Sequence, residues 1–584
     1  MDKLINNKLV SRTLSFINKH KKVFIVIFVC LLVFRLWLFL AMNWQINMGT
    51  YYDSRLQINI ATDMIWGGNY NKFVLCKGLS FPIFLVLSSL VRLPYPVALF
   101  LLVVLASFLF ARCLKPIIAS KKIRMIIFLF ILYSPIGLGG GMEAAYPYRD
   151  ALVPWTVLIA ISCVIAIFLR RKAEIKKLCP WALITLLFTG FFWNLREDSI
   201  WFLPFIAAGG LITILYYFIE EKKKTKKKKN NLRSNAVFVL IALSPLISVL
   251  VWNTGISLAN QIKYGIYTTQ DRTKTYEAKV IGQLVKVDDG ADMENDYWVS
   301  SEALNLAKEA SPTLASLKLG AFDAWPKYGD YSIWALRDSA EASGYYIDAK
   351  ETNELYKKIY DELDQGFKDG VLKKKSGIQL SDTSGIYTFN EMLEPVGDAM
   401  GSLIKHITYD EYKVELEQLS NVENEGAIVL YENVLGVNLL RTPEELRAIG
   451  ADANTVKANN NLKKYLRVNK KVSNIIIVIY NVVGWILFII AVIGLLLALF
   501  KIIFKKNYGN HKIEMIIMMG GLLLSAFLNA YMVGLWGTTG FGIPVSSGLF
   551  EYTTAETILV CCFEILGFCL FINVFKKNKK GKNE

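Results

Sequence analysis

Long apolar runs dominate both ends of the chain and alternate with short polar segments. A helix needs roughly 20 apolar residues to cross a hydrocarbon core about 30 Å thick. The runs therefore predict about ten membrane helices. The broken run at 79–114 is expected to form a short interfacial helix followed by one of these crossings. The other predicted crossings are 23–43, 125–138, 151–169, 180–194, 199–219, 235–253, 473–500, 513–534 and 551–574.

One long polar segment, residues 254–472, separates the two apolar ends. It is long enough for a soluble domain. Residues 348–367 have apolar positions at helical spacing, whereas 428–440 is more typical of a strand. We expect a mixed, mostly helical insert between an N-terminal membrane module at 1–253 and a C-terminal one at 473–584.

Lysine and arginine flank the apolar runs on alternate sides, which indicates one orientation under the positive-inside rule. Both termini are then cytoplasmic, and the insert and the loop at 44–78 are extracytoplasmic, as in a multi-pass protein of the cell membrane. The net charge of +17 supports this view, because 254–472 holds 26 Lys and Arg against 34 Asp and Glu. The positive excess lies in the membrane part, so it indicates topology and a lipid bilayer partner, and we expect no nucleic acid partner.

Cysteine and histidine are too scattered to predict a metal or haem site. The eight cysteines all lie outside 254–472, and the chain has three histidines. An exported segment without cysteine has no disulfide framework. We expect no metal and no cofactor.

The candidate chemistry lies in charged residues at the predicted outward ends of the helices. Ionisable groups beside or within a membrane span are costly and usually face a cavity or a partner. Cations next to acids suit an anionic lipid headgroup, because arginine binds phosphate bidentately and lysine acts as a point charge. Arg35, inside the first helix, is expected to pair with an internal acid.

Four short motifs carry a resemblance to a known family. They are Tyr52-Asp53 in the first external loop, KGLSFP at 77–82, YRD at 148–150 and LREDSIWFLP at 195–204. Together they resemble bacterial multi-pass proteins related to the GT-C glycosyltransferases, over roughly residues 23–220.

The resemblance implies a GT-C-like helix bundle that moves a sugar from a polyprenyl-phosphate donor to an extracytoplasmic acceptor, such as a cell-envelope glycan, lipid or protein. Asp53 would be the general base that takes the acceptor proton. Lys77, Arg149 and Arg196 would bind the lipid phosphate. The residues expected to support the site are Asp150, Glu197, Asp198, Arg35 and Tyr52.

Structural interpretations of the same residues stay open. Asp53 suits the N-cap of a following helix, residues 196–198 suit an interfacial charge cluster, Arg149 and Asp150 suit a local ion pair, and Lys77 suits a side chain that reaches to the interface. Two other functions also remain, a transporter or flippase of lipid-linked glycans and an envelope scaffold.

Overall fold

A computed structural model describes residues 21–42, 44, 53–138, 147–224, 232–290, 298–325, 331–414, 425–504 and 511–575. In the first part of the chain the helices are α1 Lys21–Leu40, α2 Asp53–Thr62, α3 Ser80–Leu90, α4 Tyr95–Cys113, α5 Lys121–Leu132, α6 Val153–Leu169, α7 Ile175–Trp193, α8 Leu203–Lys224, α9 Leu232–Ala242 and α10 Ser244–Tyr264.

The polar insert continues with short helices and one two-stranded antiparallel hairpin. Its elements are α11 Asp271–Lys274, α12 Tyr276–Val285, α13 Ser301–Ala310, α14 Pro312–Ala315, α15 Ala321–Ala324, α16 Tyr331–Ala342, α17 Ala349–Lys368, β1 Ile378–Gln379, β2 Ile386–Tyr387, α18 Phe389–Leu393, α19 Pro395–Thr408, α20 Glu425–Leu435 and α21 Pro443–Ala448. The last helices are α22 Ala453–Ile503, α23 Lys512–Phe541, α24 Val545–Gly548 and α25 Thr554–Val574.

Eight helices among the described residues are long and apolar enough to cross a membrane, or nine if the bent pair α9 and α10 counts as one span. The protein is therefore a mainly helical, multi-pass membrane protein. The predicted crossing at 125–138 is wrong in length. Helix α5 has 12 residues, about 18 Å at 1.5 Å per residue, and ends just before Ser134-Pro135 because a residue preceding proline avoids helical geometry.

The predicted single helix at 235–253 is also wrong. The structure has two helices, α9 and α10, bent by 64° at Leu243. Pro245 lies in the first turn of α10, where its missing N–H and its ring prevent a continuous helix. Helix α10 then continues to Tyr264 and ends at Gly265, whose φ of +79° favours glycine.

Helix α22 joins the insert to the membrane part without a break. Asp452 caps its start by accepting a hydrogen bond from the Thr455 N–H. The helix has 51 residues, about 77 Å at 1.5 Å per residue. It begins twenty residues before the predicted crossing at 473–500, so its first turns belong to the polar part of the chain.

The core of the membrane part surrounds α6, whose apolar window is entirely buried. This helix is hydrophobic on every face, which is typical of a helix enclosed by others. Helices α4, α7, α8 and α25 pack around it. Its N-terminal turn, Arg149–Ala151, is thereby held at one end of the bundle.

The insert has its own core, to which α12, α16 and α17 contribute. Helix α17 confirms the helix predicted at 348–367, with Asp348 as its N-cap. The strand-like interpretation of 428–440 is wrong, because α20 covers most of it. Its buried residues Ile428, Tyr431 and Leu435 recur at helical spacing, and this spacing outweighs the β-branched content.

Candidate functional site

A cavity of about 2170 Å³ lies between the membrane helices and the insert. Lys77, Arg149 and Arg196 all line it, although they come from three distant segments. Asp150, Glu197 and Asp198 line it as well. The structure thus brings six of the nine candidate residues into one space.

Lys77 reaches the cavity because Gly78 packs directly against the backbone of Asn194. A Cβ atom on Gly78 would lie 2.3 Å from the Asn194 carbonyl oxygen, and the Ser80 N–H donates to the same oxygen at 3.3 Å. This contact fixes the start of the KGLSFP motif beside the segment that carries Arg196. Lys77 is 4% exposed, and its Nζ lies 5.9 Å from the ring centre of Trp334.

The arginines form ion pairs that cross between two segments. Arg149 Nη1 donates to Glu197 Oε2 at 2.6 Å, and Arg196 Nη1 donates to Asp150 Oδ1 at 2.7 Å. Arg196 also binds Asp198 through Nε at 2.8 Å and Nη2 at 2.6 Å. These crossed pairs tie the start of α6 to the turn before α8.

This charge network shifts the pKa values of Glu197 and Arg196. Burial alone would raise the pKa of Glu197, but Arg149, Lys77 and Arg272 hold it well below its usual range. Burial would lower the pKa of Arg196, yet Asp198 and Asp150 raise it well above its usual range. Glu197 is thus a permanent counter-ion and a poor general base, since an efficient base has a pKa near the working pH.

Arg272 is a site residue that the sequence interpretation missed. It is 7% exposed, lines the cavity, and brings Nη2 to 3.9 Å from Glu197 Oε1. Its guanidinium lies 5.6 Å from the ring centre of Trp334. Its only sequence signal is its place just after the apolar helix α10, which no motif marks.

Helix α16 of the insert binds the loop that ends in Lys77. Lys72 Nζ contacts Asp338 Oδ1 at 2.9 Å, and Arg337 donates to the Lys72 carbonyl oxygen. Arg337 also pairs with Asp271 at 2.9 Å and with Glu277 at 2.5 Å. The insert therefore supports the position of the loop as well as covering it.

The remaining candidates have different outcomes. Asp53 is the first residue of α2, and its side chain lies outside the described part of the structure, as does all of Tyr52.

Arg35 was wrongly expected to pair with an acid. It is fully buried, donates from Nε to the Leu132 carbonyl oxygen at 2.7 Å, and lies 4.6 Å from the ring centre of Phe39. Within the described residues no carboxylate pairs with it, and the buried carbonyl at the end of α5 accepts the hydrogen bond from its Nε.

Aromatic side chains are the other main component of the cavity lining. Six tryptophans and five tyrosines contribute. Such rings combine apolar faces with polar edges, which suits the C–H faces and hydroxyl groups of a sugar. Across the described residues no three His, Cys, Asp or Glu side chains cluster as metal ligands would.

No family model, curated protein or solved structure matches the chain.

Proposed function

We propose that the protein is a GT-C-like membrane glycosyltransferase of the cell membrane, with both termini in the cytoplasm and the insert outside. It moves a sugar from a polyprenyl-phosphate donor to an extracytoplasmic acceptor, which is a cell-envelope glycan, lipid or protein. The observation that carries this proposal is the convergence of Lys77, Arg149 and Arg196 on one aromatic-lined cavity.

The charge balance supports an anionic donor. Lys77, Arg149, Arg196 and Arg272 face three carboxylates, Asp150, Glu197 and Asp198, around one end of the cavity. This leaves one positive charge in excess, which suits the single negative charge of a sugar phosphodiester. Arginine and lysine in a partly dry site interact more strongly with phosphate than they do in water.

The lining also supports a lipid-bound donor. Ile200, Leu528 and Met532 belong to the membrane-spanning segments and line the same cavity as the cations. An isoprenoid tail among these helices would leave its phosphate near Arg196.

In the proposed reaction the acceptor hydroxyl oxygen attacks the anomeric carbon of the donor sugar. The bond between that carbon and the lipid phosphate oxygen breaks, and the phosphate leaves with the electron pair. Asp53 accepts the hydroxyl proton as the new bond forms. Lys77, Arg149 and Arg196 stabilise the charge that develops on the leaving phosphate.

Replacement of Asp53 tests the reaction. We expect Asp53→Asn in the full-length protein to abolish transfer of radiolabelled sugar from a polyprenyl-phosphate donor while thermal unfolding stays that of the wild type. Asp63→Asn, an exposed acid ten residues on, is the matched control and should keep its activity. Unchanged transfer by Asp53→Asn would refute the proposed base.

A flippase or transporter is the second candidate, and the 64° bend between α9 and α10 favours it. Broken membrane helices often line transport pathways. The discriminating measurement uses proteoliposomes with labelled lipid-linked sugar and no acceptor. Protein-dependent movement of the donor between leaflets would support transport, whereas product formed only when acceptor is added supports the enzyme.

A further inference from the structure

Acidic and basic residues of the insert are distributed unevenly between the surface that lines the cavity and the remainder of the insert. Residues 254–472 carry 34 acids against 26 bases. The part of the insert that lines the cavity nevertheless contributes six cations and one acid, Asp382. Arg272 belongs to the cluster around Glu197, and the other five are Lys274, Lys279, Lys286, Lys374 and Lys375, which we call the lysine face.

Local structure builds the lysine face from two segments. Lys279 lies on α12 and Lys286 follows seven residues later at its C-cap. The chain returns beside it, because Lys375 N–H donates to the Lys286 carbonyl oxygen at 2.9 Å and Asp288 N–H donates to the Lys373 carbonyl oxygen at 2.9 Å. This backbone pairing places Lys286 next to the adjacent lysines 374 and 375.

Local acids neutralise the lysine face only in part: Asp364 interacts electrostatically with Lys286 and Lys374, beyond ion-pair distance. Lys375 Nζ lies 3.6 Å from Asp289 Oδ1. Among the described residues, the other four lysines have no carboxylate within ion-pair distance. An excess of positive charge on one side of a cleft attracts an incoming ligand of the opposite sign.

The neighbouring lining suits a sugar chain. Trp298 and Tyr387 supply rings, and the turn at 379–384 supplies amide and hydroxyl groups to the same cavity. The volume of about 2170 Å³ exceeds the roughly 300–1,000 Å³ of a site for one small ligand. There is room for a donor sugar at the Arg196 end and for several acceptor units along the insert.

We propose that the lysine face binds a polyanionic glycan, a sugar polymer with a phosphate or carboxylate in each repeat, as the acceptor. Its role as acceptor rests on the proposed glycosyl transfer, but the binding itself does not. A chain with regularly spaced charges contacts several lysines at once, while a neutral glycan gains nothing from them.

The test measures binding of an end-labelled hyaluronan octasaccharide to the full-length protein in phosphatidylcholine nanodiscs, without donor. The triple variant Lys279→Gln, Lys374→Gln, Lys375→Gln removes three charges from the lysine face. The matched control, Lys318→Gln, Lys350→Gln, Lys358→Gln, removes three charges from exposed insert positions outside the cavity lining.

We expect the first variant to weaken binding by about tenfold or more. Its binding should also depend less on salt, because fewer charge contacts remain for salt to screen. The control should stay within twofold of the wild type, and neutral maltooctaose should bind both variants and the wild type alike. Equal loss in the two triple variants, or equal binding of maltooctaose and hyaluronan to the wild type, would overturn the proposal.

A competing lipid is distinguished by adding phosphatidylglycerol to the nanodiscs. If phosphatidylglycerol displaces the octasaccharide, and if this competition depends on the same three lysines, the lysine face binds lipid headgroups and the glycan proposal fails. Because no donor is present, these outcomes are independent of transfer. If the wild-type protein transfers no sugar but binds the octasaccharide through these lysines, the proposed enzyme is refuted and the glycan site is retained.

Discussion

At the scale of single residues, Gly78 has the most clearly defined structural role in the site. We expect Gly78→Ala to destabilise the protein by about 1–3 kcal/mol, the usual cost of forcing an added methyl group into a packed site, and to displace Lys77 from the cavity. The contact responsible is the 2.3 Å approach of the new Cβ to the Asn194 carbonyl oxygen. Thermal unfolding of the purified protein in detergent measures the loss.

Gly255→Ala supplies the control for this change. A Cβ at Gly255 meets nothing within 4 Å, and alanine in a helix is favoured over glycine by about 1 kcal/mol. The control should therefore be neutral or slightly stabilising. Equal effects of the two substitutions would show that Gly78 has no special packing role.

The crossed ion pairs give a second residue-scale prediction. Arg196→Gln leaves Asp150, which is 1% exposed, without its partner. Loss of one member of a buried pair costs about 3–5 kcal/mol, so the melting temperature should fall strongly. The double variant Arg196→Gln, Asp150→Asn should recover part of the loss, because no buried charge is left uncompensated; a further fall in stability would contradict the pairing.

The sequence predicted six of the charged residues that line the cavity but not how they pair. Their position at the outward ends of helices made convergence predictable from topology. The exchange of partners between Arg149 and Arg196 depends on how the start of α6 and the turn before α8 pack in three dimensions, and no local pattern encodes it. Arg272 was missed for the same reason, since it comes from the insert.

At the scale of elements, α19 contacts the N-terminal end of α25 through a buried polar network around His406. Its Nδ1 lies 2.6 Å from Thr557 Oγ1 and its Nε2 lies 3.0 Å from Thr553 Oγ1 and 3.3 Å from Glu556 Oε2. The ring stacks on Phe550 at 4.7 Å between ring centres. This network connects the insert to the last membrane helix.

The network predicts a pH dependence of stability. Burial, with a smaller effect of Lys405, lowers the pKa of His406 to about 3, whereas an unfolded histidine has a pKa of about 6.5. The unfolded state binds the proton first, so the contribution is complete above pH 6.5 and is lost progressively as pH falls towards 3. At about 1.4 kcal/mol per pKa unit, the loss at pH 5 is about 2 kcal/mol.

Thermal unfolding between pH 7.5 and 5 checks this sign. The variant His406→Gln should start from a lower melting temperature and lose less stability on acidification than the wild type. Parallel curves for the wild type and His406→Gln would contradict a neutral, buried His406.

The positions of most membrane helices were predictable from the length of the apolar runs. Whether each run forms one unbroken helix was not. The run at 235–253 looked uniform, but Pro245 divides it into α9 and α10. The run at 125–138 met the composition of a crossing, yet Pro135 ends the helix early. Segment 428–440 had strand-like composition, and the alternative helical face became visible only once its buried positions were known.

At the scale of the whole molecule, two parts of opposite charge character enclose one cavity. The membrane part contributes the arginines, and Lys77 comes from a loop held by Lys72 and Arg337 against α16. The insert adds Arg272 and the lysine face. The sequence indicated the two parts and their charges, but a cavity shared between them follows from packing across more than 200 residues of chain and was not predictable from any one segment.

The most direct test of the account measures binding of a short-chain prenyl-phosphate hexose to the full-length protein in nanodiscs. Lys77→Gln removes a cavity cation, and Lys263→Gln removes an exposed one near the end of α10. The account predicts that Lys77→Gln weakens binding by about tenfold or more, since a charge-assisted contact contributes about 1.5–3 kcal/mol, while Lys263→Gln binds as the wild type does. Identical affinities for the wild type and both variants, with unchanged thermal unfolding, would contradict the claim that this cavity holds a lipid-linked sugar phosphate.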